Sequence, residues 1–171
     1  VVMLQSACSM ACPFCINDPF PAISWDQALN LLEGFRIDGI RNVILGGGEP
    51  FLWKHGLVNL SRKAHDMGFF VQVGSNATLL PQGFENISTI DRYVLPLEST
   101  DQALHDRLRP HGSSHHGLIL DALQRLKESS KSVTLSTVVT RWNHQELQTL
   151  GRFLSNYKDQ GGFLHAWHLY K

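Results

Sequence analysis

Three cysteines in one short segment are the feature that most constrains this chain. They form Cys8-Ser-Met-Ala-Cys12-Pro-Phe-Cys15, and the rest of the 171-residue chain contains no cysteine. Thiolates are the ligands that iron–sulfur clusters prefer, and such clusters usually have four of them. Three thiolates on one loop leave one iron of a cubane for another ligand. The spacing therefore predicts an iron–sulfur cluster bound by Cys8, Cys12 and Cys15.

A structural zinc site is the alternative for the same cysteines. One of the nine histidines of the chain could supply a fourth ligand to the metal. However, no histidine lies within the cysteine segment, and zinc ligands usually come as two halves of the CxxC type. The spacing favours the cluster.

The charge balance excludes several classes of partner. Lys plus Arg and Asp plus Glu number 15 each, so the formal net charge is zero. We see no basic stripe for nucleic acid, no apolar run of the roughly 20 residues that span a bilayer, and no signal peptide. Clustered cysteines also indicate a reducing compartment. We expect a cytoplasmic protein that binds neither nucleic acid nor membrane.

Strand and helix patterns alternate along the whole chain. Short apolar runs, typical of a buried parallel sheet, predict strands at residues 1–5, 42–45, 69–73, 92–97, 133–139 and 163–169. Amphipathic helices lie between them, with Ser24 and Gln27 as a capping box for the first and Asn143 with Glu146 as the cap of the last. A weaker helix is expected after Pro81.

Six β–α units with short connections predict an α/β protein, specifically a partial (β/α)6 barrel of parallel strands with outer helices. We expect residues 1–171 to be one core domain. Because the chain begins with Val1 almost on its first strand, we also expect it to be a fragment of a longer protein.

Polar or glycine-rich segments follow five of the predicted strands. Ligands of parallel α/β folds gather at the carboxyl ends of the strands, so we expect one site there. The segments are the cysteine loop and residues 46–50, 74–76, 98–100 and 140–141. In the second of these, three glycines allow close backbone approach to a ligand.

The cysteine loop, with Phe14 before its last cysteine, and the downstream sequence Gly46-Gly47-Gly48-Glu49-Pro50 resemble the radical S-adenosylmethionine (radical SAM) superfamily. The resemblance implies a [4Fe–4S] cluster whose fourth iron is chelated by SAM. It further implies reductive cleavage of SAM to a 5′-deoxyadenosyl radical, which abstracts hydrogen from a peptide, protein or small molecule. An electron donor such as flavodoxin or ferredoxin is implied as partner.

The resemblance also implies roles for individual residues. Gly47 and Gly48, supported by Glu49, match the motif that binds the amino group of SAM. Ser75 and Asn76 match a polar pair near SAM, although Gly-Ser-Asn also favours an ordinary turn.

Two charged residues complete the implied SAM site. Glu98 matches an acidic residue that contacts the ribose hydroxyls. Arg109 matches a recurring arginine, which either neutralises the SAM carboxylate or pairs with Asp106 on the surface. Two residues before Glu98, where many members carry a serine that contacts SAM, this chain has Pro96, a residue that is unusual in a central strand.

The substrate and the catalytic residues stay unassigned at this level. The layout is similar to that of viperin-type nucleotide-modifying enzymes, but the lysine and asparagine that serve their triphosphate align with Thr134 and Ser136 here. A non-catalytic, metal-stabilised binding module is the other alternative. The group His111, His115 and His116 fits a polar loop and helix start better than a second metal site.

Overall fold

The computed structural model describes all residues from 1 to 171. An α-helix separates most consecutive strands, as the sequence predicts, but the connection from Gly74 to Arg92 contains only a 3-10 turn and the connection from Pro96 to Ser132 contains two helices. The strands are β1 (Val2–Met3), β2 (Asn42–Gly46), β3 (Phe70–Gly74), β4 (Arg92–Pro96), β5 (Ser132–Val138) and β6 (Leu164–Tyr170). The helices are α1 (Trp25–Ile37), α2 (Leu57–Asp66), α3 (Gln102–Leu108), α4 (His115–Glu128) and α5 (Leu147–Asp159).

The six strands form one sheet in chain order, β1-β2-β3-β4-β5-β6. The pairs β1–β2, β2–β3 and β5–β6 are parallel. Five of the six predicted strands agree with the observed ones to within one residue at each end, whereas β1 is shorter than predicted. Pro96 is the last residue of β4.

The first compact unit comprises Val1–Ser9, Ile16–Ser75 and Leu79–Tyr93. The predicted capping box of α1 is confirmed, because the Ser24 side chain accepts from the Gln27 N–H and the Gln27 side chain accepts from the Ser24 N–H. Buried aromatic side chains anchor two loops by hydrogen bonds. Trp53 Nε1 donates to the carbonyl of Ile23 at 2.9 Å, and the Tyr93 hydroxyl donates to the carbonyl of Phe84 at 2.7 Å.

The second compact unit comprises Met10–Cys15, Asn76–Thr78 and Val94–Lys171. Helix α4 contributes the buried side chains Ile119, Leu123 and Leu126 to its core. The Tyr157 hydroxyl of α5 donates to the carbonyl of Leu123 at 3.1 Å. None of the helices combines the length and the hydropathy that a membrane-spanning helix requires.

Two helix predictions need correction. The segment after Pro81 forms only a short 3-10 turn, Phe84–Asn86. Asn143 does not cap α5, which begins at Leu147 without a side-chain cap. The Asn143 side chain is instead buried and bonded to the ends of two strands, which satisfies its amide better than a solvent-exposed cap would.

We expect Tyr93→Phe to lower the free energy of unfolding by about 1–2 kcal/mol, since it leaves the buried Phe84 carbonyl without this donor. Tyr170→Phe is the matched control, because that side chain is half exposed. Urea denaturation measures both variants, and equal stability of the two would contradict the importance of this hydrogen bond.

Candidate functional site

The glycine-rich turn at residues 46–49 is hydrogen-bonded to the backbone that leads into the cysteine loop. The Gly48 N–H donates to the Gln5 carbonyl at 2.7 Å, and the Glu49 N–H donates to the Ala7 carbonyl at 2.9 Å. The Gln5 side chain returns a bond, donating to the Glu49 carbonyl at 3.0 Å. Two segments distant in sequence are thereby fixed to each other immediately before Cys8.

This backbone contact explains why residues 47 and 48 are glycines. A Cβ at Gly48 would lie 2.2 Å from the Ala7 carbonyl oxygen, and one at Gly47 would lie 2.3 Å from the Gln5 carbonyl oxygen. Gly47 also has a φ of +140°, which L side chains rarely adopt. The close approach predicted from the glycines is therefore present in the structure, but it is made to the chain itself.

The same turn also contacts the chain beyond the last cysteine. The Asn17 side-chain amide donates to the Gly47 carbonyl at 2.9 Å. Nearby, the Ser6 hydroxyl donates to the Phe20 carbonyl at 2.9 Å and accepts from the Phe20 N–H at 3.0 Å. Asn17 and Ser6 were not predicted as functional residues, and only their positions flanking the cysteines could have indicated their role.

Glu49 is a buried carboxylate within the first unit, with none of its surface exposed. The Ser75 hydroxyl lies 3.0 Å from both carboxylate oxygens, and the Phe51 N–H donates to Oε1 at 3.1 Å. A buried carboxylate requires such donors. The structure thus brings two of the predicted SAM-binding residues, Glu49 and Ser75, into direct contact.

The cysteine side chains face solvent to different degrees. Cys8 and Cys15 are exposed and Cys12 is partly exposed, and the Cys15 N–H closes a turn by donating to the Cys12 carbonyl at 3.0 Å. No group of three His, Cys, Asp or Glu side chains converges where a single metal ion could bind.

Arg109 connects three of the predicted site residues in the second unit. Its Nε donates to Glu98 Oε1 at 2.7 Å, and its Nη1 lies 3.7 Å from Cys12 Sγ. The guanidinium also lies over the Phe14 ring, 5.1 Å from the ring centroid, where a cation is attracted to the π face. The predicted alternative, an ion pair between Arg109 and Asp106, is wrong, because Asp106 accepts from the His116 N–H instead.

Glu98 is wholly buried at the end of β4. Burial raises the pKa of its carboxyl group, and the Arg109 guanidinium and the Val138 N–H oppose that rise. The Arg109 guanidinium donates a charge-assisted hydrogen bond to Oε1 of Glu98, and the Val138 N–H donates a backbone hydrogen bond to Oε2 at 2.7 Å. These bonds hold the carboxylate in a fixed orientation.

A pair of buried histidines lies beside Glu98. His105 Nδ1 accepts from the Glu98 N–H at 3.2 Å, His105 Nε2 lies 2.8 Å from His115 Nδ1, and His115 Nε2 lies 2.7 Å from the Asn76 carbonyl. Burial, above all, lowers the pKa of His105 to about 3 and that of His115 to about 4. His115 and His116 begin α4, as expected, whereas the role of His105 was missed.

The last predicted residue, Asn76, forms a local turn. Its side-chain oxygen accepts from the Thr78 N–H at 2.9 Å and from the Thr78 hydroxyl at 2.7 Å. The ordinary turn chemistry considered for Gly-Ser-Asn is therefore present at Asn76. Ser75, by contrast, is directed to Glu49.

The sequence matches one protein family and several known proteins. The family model that describes the radical SAM superfamily matches residues 2–154. The chain is 22% identical over 173 residues to an S-adenosylmethionine-dependent nucleotide dehydratase of Lacinutrix mariniflava, an alignment covering 91% of this chain and 35% of that protein. The chain spans about a third of the length of the curated relatives it matches.

Solved structures share the fold. SuiB of Streptococcus suis bound to the precursor peptide SuiA has a TM-score of 0.82 at 18% identity, covering 98% of this chain and 37% of that one. SuiB bound to S-adenosylmethionine has a TM-score of 0.80 at 19% identity, and the match covers 98% of this chain and 39% of that one. The likeness confirms the predicted α/β class with a partial (β/α)6 barrel.

We expect Gly48→Ala to lower the free energy of unfolding by about 1–3 kcal/mol, because its methyl group would overlap backbone atoms that have little room to move. Gly34→Ala is the matched control. Gly34 lies within α1, and a Cβ added there would meet no atom within 4 Å. Alanine at this position should therefore raise the free energy of unfolding by about 0.5–1 kcal/mol. Chemical denaturation of the unloaded proteins measures both changes, and equal effects at the two positions would contradict the backbone contact.

The neutral state of His105 predicts a pH dependence of stability. Its folded pKa of about 3 lies below the unfolded value near 6.5. The contribution of the neutral ring to the free energy of unfolding is therefore complete above pH 6.5 and declines as the pH falls. Between pH 6.5 and 5, wild type should lose up to about 2 kcal/mol relative to His105→Asn. Denaturation at both pH values measures this difference, with the exposed His65→Asn as control. A pH-independent difference would contradict the neutral, buried imidazole.

Proposed function

The chain belongs to the radical SAM superfamily, and on that premise we propose that it binds a [4Fe–4S] cluster through Cys8, Cys12 and Cys15 and cleaves SAM reductively. When bound, the cluster supplies the electron for this cleavage, and the 5′-deoxyadenosyl radical so formed removes hydrogen from an organic substrate. The family match confirms the predicted superfamily, the enzyme class, and the [4Fe–4S] cluster and SAM as its cofactors.

The proposal rests on one observation, which is that hydrogen bonds fix the chain on both sides of the loop with the only three cysteines. The turn at residues 46–49 bonds to the chain just before Cys8 and, through Asn17, just after Cys15. A loop that is fixed at both ends loses less conformational entropy when its thiols bind the cluster. The thiols themselves remain accessible at the surface.

Arg109 has a second role in this proposal beside the one implied by the family. Its guanidinium reaches Cys12 Sγ, so it would lie beside the cluster and favour the anionic state of the thiolate. Glu98 holds the guanidinium at 2.7 Å and balances its charge. A cation at this position would also attract the carboxylate of SAM.

Glu49 supports the amino group of SAM in this proposal. Its buried carboxylate is a negative charge whose orientation is fixed by Ser75 and by the Phe51 N–H. A carboxylate held in this way is an acceptor for the charge-assisted hydrogen bond of an ammonium group. Gly47 and Gly48 hold the backbone that carries this carboxylate, and Glu98 and Asn76 are proposed to contact the remainder of SAM.

The reductive cleavage of SAM consumes one electron. We therefore propose a small reductase partner such as flavodoxin or ferredoxin. The substrate is proposed to be a peptide, protein or small molecule with an abstractable hydrogen.

A nucleotide substrate is the second candidate, since one relative is a nucleotide dehydratase. The residues that would have to contact a triphosphate do not favour it. Thr134 is almost completely buried, and Ser136 donates to the Leu95 carbonyl at 3.4 Å. Neither position provides the cation or strong donor that phosphates require.

Anaerobic reconstitution with iron and sulfide, followed by reduction in the presence of SAM, tests the proposed function. We expect cubane absorbance and release of 5′-deoxyadenosine, both lost in Cys12→Ala and both retained in Ser9→Ala, a control on the same exposed loop. Binding of zinc without iron would contradict the enzyme proposal and favour a metal-stabilised binding module. A cluster without deoxyadenosine would contradict the proposed SAM cleavage by this chain.

A further inference from the structure

Two buried imidazoles connect the end of β4 to the turn after β3. The path starts at the Glu98 N–H, passes through the rings of His105 and His115, and ends at the Asn76 carbonyl, with donor–acceptor distances of 3.2, 2.8 and 2.7 Å. Both rings are wholly buried and nearly parallel, with 16° between their planes. All of these residues belong to the second compact unit.

The ends of the path determine which ring nitrogens carry protons. A backbone N–H can only donate, so His105 Nδ1 must accept from Glu98 and the proton of that ring must be on Nε2. That proton is donated to His115 Nδ1, which leaves the second ring protonated on Nε2. A carbonyl can only accept, so His115 Nε2–H donates to Asn76. Every bond of the path is satisfied only when both rings are neutral and carry the Nε2 proton.

The two ends of the path are backbone groups of proposed SAM contacts. At one end, the Glu98 side chain is fixed by Arg109 and by the Val138 N–H, so the histidine bond fixes the remaining backbone donor. At the other end, the Asn76 side chain is engaged with Thr78, so the carbonyl is the group that the path holds. The histidines contact neither a cysteine nor solvent in these bonds.

We propose that His105 and His115 are positioning residues that hold the Glu98 and Asn76 backbone in the geometry required to bind SAM. The inference rests on the proposed function, because it assigns these two residues to the SAM site. It gives a role to a histidine pair that is otherwise unfavourable in a buried core, since apolar residues of similar volume would bury without requiring partners.

Nitrogen NMR of the unloaded protein with 15N-labelled histidine tests the path itself. The chemical shifts of the two ring nitrogens distinguish the Nε2–H tautomer, the Nδ1–H tautomer and the imidazolium. At pH 7 we expect His105 and His115 to be in the Nε2–H form. Either of the other forms in one of these rings would overturn the inference, whatever the loaded protein does.

The binding of SAM to the reconstituted protein tests the positioning role. His115→Phe fills the ring space but removes both bonds, and we expect it to weaken SAM binding about tenfold. His115→Gln retains an N–H near the Nε2 position for the Asn76 carbonyl, so it should recover part of that loss. His111→Gln is the control, since His111 is exposed in the neighbouring loop and bonds to Ser113.

The outcomes separate this inference from the proposed function. If wild type binds SAM and both His115 variants, confirmed as folded by thermal denaturation, bind it equally well, the positioning role is overturned and the proposed function stands. If wild type binds the cluster but no SAM, the proposed function fails and the inference fails with it. Should His115→Phe not fold, the tautomers observed in wild type and the affinity of His115→Gln still decide the question.

Discussion

The backbone contact between residues 5–7 and residues 47–49 is the constraint on which the rest of the candidate site depends. Two amide–carbonyl bonds of 2.7 and 2.9 Å bring the chain entering the cysteine loop against the glycine-rich turn. No side chain larger than hydrogen fits at Gly47 or Gly48. Because Asn17 bonds to the same turn, the loop that carries the cysteines is fixed at both stems while its tip stays accessible.

Buried charge is the second theme of this structure. Glu49 and Glu98 are both wholly buried, each within its own unit, and each is held by donors from other parts of the chain. Burial of a carboxylate is costly unless hydrogen bonds and an opposite charge compensate for it. For Glu98 the compensating charge is Arg109, whose guanidinium also reaches Cys12 and Phe14. The two buried carboxylates of the chain are therefore both residues proposed to contact SAM.

Local patterns predicted the strands and the α1 cap, because each depends on residues adjacent in sequence. The missed features depend on partners distant in sequence. His105 is unremarkable until its ring lies beside the Glu98 N–H, and Asn143 resembles a helix cap until its amide bonds to the Glu98 carbonyl. Closeness in sequence predicts Asp106 as the surface partner of Arg109, whereas the guanidinium pairs with the buried carboxylate of Glu98.

Electron paramagnetic resonance of the reconstituted, reduced protein, recorded with and without SAM, tests the central claim most directly. The claim is that three cysteines bind a [4Fe–4S] cluster whose fourth iron is open to SAM. It predicts the signal of a reduced [4Fe–4S] cluster that changes when SAM is added to wild type and is absent from Cys12→Ala. A cluster signal that is indifferent to SAM, or protein that binds no iron, would contradict it.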